Sequence, residues 1–198
     1  MRNKRLRDSR REKKRKKKLT SSLIWGGIVL VLLIIGAFII YDSSRPSEGE
    51  TIPIMADAGA HVPEGQDPGP FNSDPPTSGR HYNQPLDAGF YEEGDPETLT
   101  DYPEGYLLHS LEHGYVIFWY NCDALDNVDD CNQLKDGIKE VMDRFLSVKL
   151  IAYPWTSIDV PVVMTTWGQM MRFEKFDEGI AREFVQANRN RAPEPNAP

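Results

Sequence analysis

Four histidines are the residues of this sequence whose types and spacing could do chemistry. His109 and His113 stand four positions apart within Leu107–Gly114, and His61 and His81 precede them. Positions i and i+4 share one face of a helix, and positions an even number apart share one face of a strand. The pair therefore projects to one side in either conformation, which is the minimum that a two-histidine metal site requires.

The histidines are also concentrated in the chain, since all four fall within a span of 53 residues. Three or four neutral imidazoles suit Zn(II) or Cu(II), and a nearby thioether would favour Cu(I). Candidate thioethers are Met164, Met170 and Met171, although methionine more often fills a core. The sequence thus predicts a copper or zinc ion bound by His61, His81, His109 and His113. The alternative is that each histidine is a satisfied polar residue in or near the core.

Glu112 stands beside the second histidine and supports two interpretations. His109, Glu112 and His113 fit the H-x-x-E-H pattern, in which both histidines bind zinc and the glutamate is the general base of a hydrolase. That chemistry requires a helix, and Gly114 leaves room only for a short one. We therefore expect Glu112 to orient a ligand by a hydrogen bond. It is a catalytic residue only under the alternative of a zinc-dependent hydrolase.

The first 41 residues predict a membrane anchor. Residues 1–18 hold twelve Lys and Arg against two acids, a net charge of +10, and residues 19–41 are uncharged. About 18 apolar residues in a helix approach the thickness of a bilayer core. A basic flank before the span predicts a cytoplasmic N-terminus and an outside C-terminal domain. The basic tail would contact anionic lipid headgroups, and because an apolar span follows it, a nucleic-acid partner is not expected.

The rest of the chain divides by composition. Residues 42–198 carry a net charge of −17, and residues 42–105 hold ten of the fifteen prolines and eight of the fifteen glycines. We expect a flexible stalk over 42–56, a domain over 57–190 and a disordered tail over 191–198. The Pro/Gly-rich part of the domain contains several aromatic residues, which predicts an ordered loop region. Metal ligation would fix this region to the sheet, and packing of Phe71, Tyr82 and Phe90 would do so without metal.

Hydrophobic periodicity predicts an α+β domain. Residues 115–120, 148–153 and 160–166 are rich in β-branched and aromatic residues and read as strands. Helical spacing is found at about 132–146 and again after Asp177, which has the chemistry of an N-cap. The order strand, helix, strand, strand, helix predicts most of a split β-α-β arrangement, with the helices on one face of a small mixed sheet.

Two cysteines lie in the predicted exterior domain. Cys122 and Cys131 would close a short loop between the first strand and the following helix. Outside the membrane such a pair most simply forms one structural disulfide. The spacing is not Cys-x-x-Cys, which argues against a catalytic thiol pair.

Three motifs resemble a known family. They are Pro75–Tyr82 (PPTSGRHY), His109–Gly114 (HSLEHG) and Thr166–Gly168 (TWG). Together they are similar to a bacterial membrane-anchored family catalogued as domain of unknown function three thousand one hundred and five, over about residues 57–188. The family pattern often has proline where this chain has Arg80. The resemblance implies no established activity, but it places His81, Glu112 and His113 in the family motif.

A third interpretation needs no metal. The acidic surface and the aromatic residues of the loop region could make the domain a cell-envelope interaction module that binds another protein. Replacement of all four histidines by alanine would then leave capture of the partner intact.

Overall fold

The structure is a computed structural model that describes residues 24–37 and 48–197. The chain divides into two compact units, Met1–Pro46 and Ser47–Pro198. Residues 24–37 form helix α1, whose side chains are mostly exposed. No helix within the described ranges is long and apolar enough to cross a membrane. The predicted basic tail, residues 19–23 and 38–41 of the predicted anchor, residues 42–47 of the predicted stalk and residue 198 lie outside these ranges.

The second unit is built on one six-stranded sheet. The strands are β1 (Glu50–Thr51), β2 (Gly89–Phe90), β3 (Val116–Tyr120), β4 (Leu150–Pro154), β5 (Val162–Thr166) and β6 (Gln169–Phe173). Their order across the sheet is β1-β6-β5-β3-β4-β2. β4 runs parallel to β3 and β2, whereas β5 runs antiparallel to β3 and β6. The predicted α+β class with a mixed sheet is therefore confirmed.

Three helices belong to this unit, namely α2 (Glu104–Glu112), α3 (Val128–Arg144) and α4 (Glu178–Asn188). The predicted N-cap of α4 is confirmed, since the Asp177 side chain accepts a hydrogen bond from Ile180 N. Asn127 caps α3 in the same way through Asp130 N. These side chains satisfy amide donors that the first turn of each helix leaves unpaired.

The helices lie on both faces of the sheet, which corrects one expectation. The two helices predicted from periodicity, α3 and α4, pack together against the face that carries Phe118 and Met164. α2 packs with the opposite face, against Ile117 and Trp119. Successive strand residues point to opposite faces, so a strand buried throughout, as β3 is, needs cover on both.

The connection around α3 also differs from expectation. β3 and β4 are direct parallel neighbours, so β3-α3-β4 is an ordinary β-α-β unit and not a split one. The predicted disulfide is confirmed, because Cys122 and Cys131 are bonded with their Cα atoms 5.2 Å apart. It joins the turn after β3 to the first turn of α3.

Candidate metal centre

Helix α2 carries two of the four histidines, and its apolar residues hold it against the sheet. Its leucines, Leu107, Leu108 and Leu111, are fully buried. His109 lies within the helix and His113 is its C-cap. The i, i+4 spacing brings both rings to one side, with centroids 4.4 Å apart.

Gly114 ends this helix for two physical reasons. Its φ of +84° lies in the left-handed region, which side chains disfavour. A Cβ at this position would also stand 2.7 Å from Asn190 Cα. The close approach lets Asn190 N donate to Gly114 O at 2.9 Å. The chain after α4 is thereby tied to the C-terminal end of α2, beside His113.

A backbone bridge brings His61 and His81 together. The two residues form an isolated parallel β-bridge. Val62 N donates to His81 O at 2.8 Å, and His81 N donates to Ala60 O at 3.2 Å. The bridge places the two ring centroids 4.9 Å apart.

The turn before His81 is fixed by one asparagine. Asn72 Oδ1 accepts from the amides of Thr77 and Ser78, both at 3.1 Å. Asn72 Nδ2 donates to Pro53 O at 3.1 Å and to Thr77 Oγ1 at 2.7 Å. The side chain thus replaces backbone partners that a loop lacks. His81 follows on a turn held by four hydrogen bonds.

Tyr82 and Gly105 join this turn to α2. Tyr82 is fully buried, and its amide donates to Gly105 O at 3.0 Å. A Cβ at Gly105 would lie 2.5 Å from the Tyr82 ring. Only glycine permits this approach. The close approach of Tyr82 to α2 lets Tyr82 O accept a hydrogen bond from His109 Nδ1 at 2.6 Å.

Three of the four predicted ligands converge. His61, His81 and His109 can each offer one nitrogen such that all three atoms lie within 4.8 Å of one another. The rings of His61 and His109 are stacked with centroids 5.3 Å apart, and that of His81 meets His109 edge-on at 5.1 Å. His81 and His109 are buried, whereas His61 is exposed. One imidazole of the group is therefore accessible to solvent.

His113 and Glu112 contact different members of the group. His113 Nε2 lies 2.9 Å from His109 Nε2. Glu112 Oε2 lies 3.0 Å from His81 Nε2. His113 and Glu112 are both buried, with 7% of their surface exposed. The predicted role of Glu112 requires a hydrogen bond to one of the histidines, and its contact with His81 has the distance of such a bond.

His81 has two oxygen acceptors, since Nδ1 also lies 3.0 Å from Gly79 O. While both contacts are made, the ring offers no lone pair to a metal. Ligation by Nδ1 would require the ring to leave Gly79 O and keep Glu112. The result would be the carboxylate–histidine–metal arrangement common in metal sites.

The tautomer of His109 is fixed by its surroundings. Nδ1 donates to Tyr82 O, so the lone pair of the neutral ring is on Nε2, facing His113. Burial lowers the pKa of His109, and the Tyr82 carbonyl opposes that shift only in part. The neutral ring is the form that binds a metal ion. This nitrogen is the best prepared donor of the cluster.

The family described as protein of unknown function DUF3105 matches residues 61–198. The chain belongs to the DUF3105 family. The predicted resemblance is confirmed, and the match extends beyond the predicted end at residue 188. No curated protein and no solved structure matches the chain. The matched part of the DUF3105 domain includes every residue of the histidine cluster.

The C-terminal segment of the DUF3105 domain lies over the cluster. Glu194 N donates to Glu112 O at 3.0 Å, and Glu194 Oε2 lies 3.8 Å from His113 Nε2. Lys149 Nζ donates to His113 O at 2.8 Å and to the carbonyls of Pro195 and Ala197 at 2.9 and 3.0 Å. These contacts lie in the segment for which a disordered tail was predicted. They were not foreseen, because they join residues far apart in sequence.

The methionines of the DUF3105 domain have packing roles. Met164 is fully buried in the core beneath α3 and α4, and Met170 is buried in the core beneath α2. Met171 packs against the first of these cores. The carbonyls of Gly79 and Tyr82 orient two of the imidazoles, and they could not be predicted because a backbone acceptor has no sequence signature.

Proposed function

We propose that this domain binds a transition-metal ion, copper or zinc, through His61, His81 and His109, with His113 as a further nitrogen beside His109. The observation that carries the proposal is the convergence of three imidazoles within 4.8 Å. These rings come from a loop, a turn and a helix that are distant in sequence. Neutral imidazole is a common ligand of both zinc and copper.

The geometry requires only a modest contraction. Metal–nitrogen bonds of about 2.0–2.1 Å place two tetrahedral ligands roughly 3.4 Å apart. The nitrogens lie within 4.8 Å of one another, so each has to move by about 1 Å or less toward the centre. Side-chain rotation of the exposed His61 supplies part of that movement. Three imidazoles and an accessible side suit Zn(II) or Cu(II) better than the thiophilic Cu(I).

The proposal also concerns location. Residues 19–41 act as a single-pass signal anchor, the N-terminus is cytoplasmic and the DUF3105 domain is outside the cell membrane. Its support is the uncharged span, the +10 charge that precedes it and the disulfide that suits an oxidising compartment. The partners are the bilayer and, for residues 1–18, anionic lipid headgroups.

Elemental analysis tests metal binding. The full chain in detergent would be incubated with copper or zinc, freed of loosely bound ions and compared with a variant carrying alanine at His61, His81 and His109. We expect about one ion per wild-type chain and none in the variant. Equal metal contents, or none in either protein, would overturn the proposal.

One observation favours the alternative of a zinc-dependent hydrolase. His109 Nε2 and His113 Nε2 lie 2.9 Å apart, so a widening of about 0.5 Å would bring them to the separation of two tetrahedral zinc ligands, and Glu112 stands between them in sequence. The Glu112 carboxylate, however, contacts His81 at 3.0 Å. Glu112→Gln separates the two functions. Retention of metal with loss of hydrolysis of a model ester or peptide would indicate the enzyme, and a change confined to metal affinity would indicate binding alone.

A further inference from the structure

The C-terminal segment holds one glutamate against the histidine cluster. Glu194 N donates to Glu112 O at 3.0 Å, and Ala197 N donates to Glu194 O at 3.1 Å. Lys149 Nζ donates to the carbonyls of Pro195 and Ala197. The backbone of this segment is thus held by bonds that use none of its own side chains. The Glu194 carboxylate has no part in the attachment and is available for another role.

That carboxylate lies beside a buried imidazole. Glu194 Oε2 is 3.8 Å from His113 Nε2, and His113 is buried whereas the Glu194 side chain is 60% exposed. Within the described residues, Glu194 forms no other ion pair. An exposed carboxylate at this distance contributes little to folding stability. The contact is therefore of interest for binding and not for the fold.

Three potential ligand atoms follow one another on this side of the cluster. His109 Nε2 and His113 Nε2 are 2.9 Å apart, and His113 Nε2 and Glu194 Oε2 are 3.8 Å apart. Two tetrahedral ligands of one zinc ion are separated by roughly 3.4 Å, so each neighbouring pair is within about 0.5 Å of that value. The lone pair of His109 is on Nε2. A small opening of the contact between the two rings would thus present two nitrogens and one oxygen to an ion.

The charges on this side of the cluster also favour a carboxylate ligand. Imidazoles bind a metal ion in their neutral form, so the histidines leave its charge uncompensated among buried groups, which is costly. The Glu112 carboxylate is already in contact with His81 at 3.0 Å. Lys149 Nζ, 2.8 Å from His113 O, adds a positive charge that opposes the ion. Direct ligation by Glu194 at about 2 Å would outweigh this repulsion, because the interaction of two charges weakens with distance.

We propose that Glu194 supplies a carboxylate oxygen to the metal ion of the histidine cluster, on the side of His109 and His113. The proposal rests on the metal binding of the proposed function and adds a ligand to it. The rotatable bonds of the glutamate let the oxygen approach the ion while the backbone stays bonded to Glu112. Imidazole and carboxylate together suit Zn(II), whereas Cu(I) prefers soft sulfur ligands. Glu194 therefore makes the site prefer zinc to Cu(I).

Glu194→Gln tests the proposal, because it removes the negative charge and keeps the size of the side chain. Glu183→Gln is the matched control, since Glu183 is an exposed glutamate of α4 that does not belong to the group of converging ligands. The full chains would be prepared in detergent without metal. Competition with a chromophoric chelator would then give their affinities for Zn(II) and, with ascorbate present, for Cu(I).

The two variants should behave differently. We expect Glu194→Gln to weaken zinc binding at least about tenfold and Cu(I) binding by less than about threefold, and Glu183→Gln to change neither. The visible absorption spectrum of the Co(II)-loaded proteins reports the ligands themselves. It should change in Glu194→Gln and match the wild type in Glu183→Gln, whereas a residue that only positions the segment would leave the spectrum unaltered.

The outcomes separate this proposal from the proposed function. A zinc affinity or a cobalt spectrum that Glu194→Gln leaves unchanged would overturn ligation by Glu194, while metal binding by the histidines would stand. Equal losses for Zn(II) and Cu(I) would overturn the preference for zinc. A wild-type chain that binds no ion would overturn both proposals.

Discussion

His109 Nε2 and His113 Nε2 face each other across 2.9 Å. This separation is that of one hydrogen bond, and it is about 0.5 Å shorter than the roughly 3.4 Å between two tetrahedral ligands of one ion. The lone pair of His109 is on this nitrogen, because Nδ1 donates to Tyr82 O. The His109 lone pair is therefore directed at His113, and it would become available to a metal ion that displaces this contact.

Single histidine replacements should form two classes. His61, His81 and His109 form the group of three converging nitrogens, whereas His113 stands beside that group with its Nε2 2.9 Å from His109 Nε2. We expect His113→Ala to weaken copper or zinc binding about 10–100-fold, as loss of a neighbouring partner does. Replacement of any of the other three should weaken it more. Competition with a chromophoric chelator measures the affinities, and four equal losses would contradict the ranking.

Gly105→Ala should destabilise the domain. The added Cβ would lie 2.5 Å from the buried Tyr82 ring, and overpacking of this kind costs about 1–3 kcal/mol. Gly137→Ala in α3 is the matched control, because its Cβ would be 3.4 Å from Phe176, an ordinary contact. Helix propensity should make that variant more stable by up to about 1 kcal/mol. Urea unfolding would measure both, and losses of equal size would refute the steric argument.

Metal removal should lower thermal stability. At a free concentration one hundred times the dissociation constant, an ion that binds only the folded state adds about 2.7 kcal/mol. For a domain of this size that corresponds to a rise in Tm of about 5–10 °C. A chelator should reverse it. The variant with alanine at His61, His81 and His109 should melt at one temperature under both conditions, and a metal-dependent shift in that variant would show binding elsewhere.

Reduction of the disulfide should affect stability and spare the metal site. Replacing Cys122 and Cys131 by serine releases a closed loop with a sequence separation of 9. Loop-entropy estimates put the loss at about 2–3 kcal/mol. Metal affinity should stay within about threefold of the wild type, since neither cysteine belongs to the histidine cluster. Loss of the metal in a variant that still folds would disprove this separation.

Acid should weaken the ion pairs of α3 with the loop after β2. Glu92 accepts from Lys135 at 2.7 Å, which lowers the pKa of Glu92 below its ordinary value of 4.5. The unfolded chain therefore binds the proton first. The stabilisation is complete above about pH 4.5 and is lost as pH falls through the lower folded pKa. Thermal melts should show the gap between wild type and Lys135→Met narrowing from pH 5 to pH 3, and a constant gap would contradict the assignment.

Much of the sheet could be predicted from sequence, because β3, β4 and β5 are short runs in which β-branched, aromatic and other apolar residues predominate. β6 was missed, since Gln169 and Arg172 interrupt its apolar pattern. β1 and β2 have two residues each. They are too short for a sequence pattern and are defined by their pairing with β6 and β4. The sequence does not decide whether α2 forms, because Gly114 limits its length. Its place on the second face is set by tertiary packing of its leucines.

The histidine cluster could be foreseen in part. Concentration of the four residues in one region, and the i, i+4 pair, are visible in the sequence. The bridge between His61 and His81 is not, because the backbone bonds that form it carry no side-chain signature. The orientations of the His81 and His109 rings depend on rotamers and on the carbonyls of Gly79 and Tyr82.

Lys149 binds the C-terminal segment through backbone atoms and not through side chains. Its ammonium group bonds to the carbonyls of Pro195 and Ala197, and every amino acid offers a carbonyl. Substitutions at Pro195 and Ala197 should therefore leave these two hydrogen bonds in place. Glu194 differs, because its carboxylate faces His113. In this terminal segment, positions bonded through their backbone carbonyls should tolerate substitution, whereas the neighbouring Glu194 is constrained by its contact with the histidine cluster.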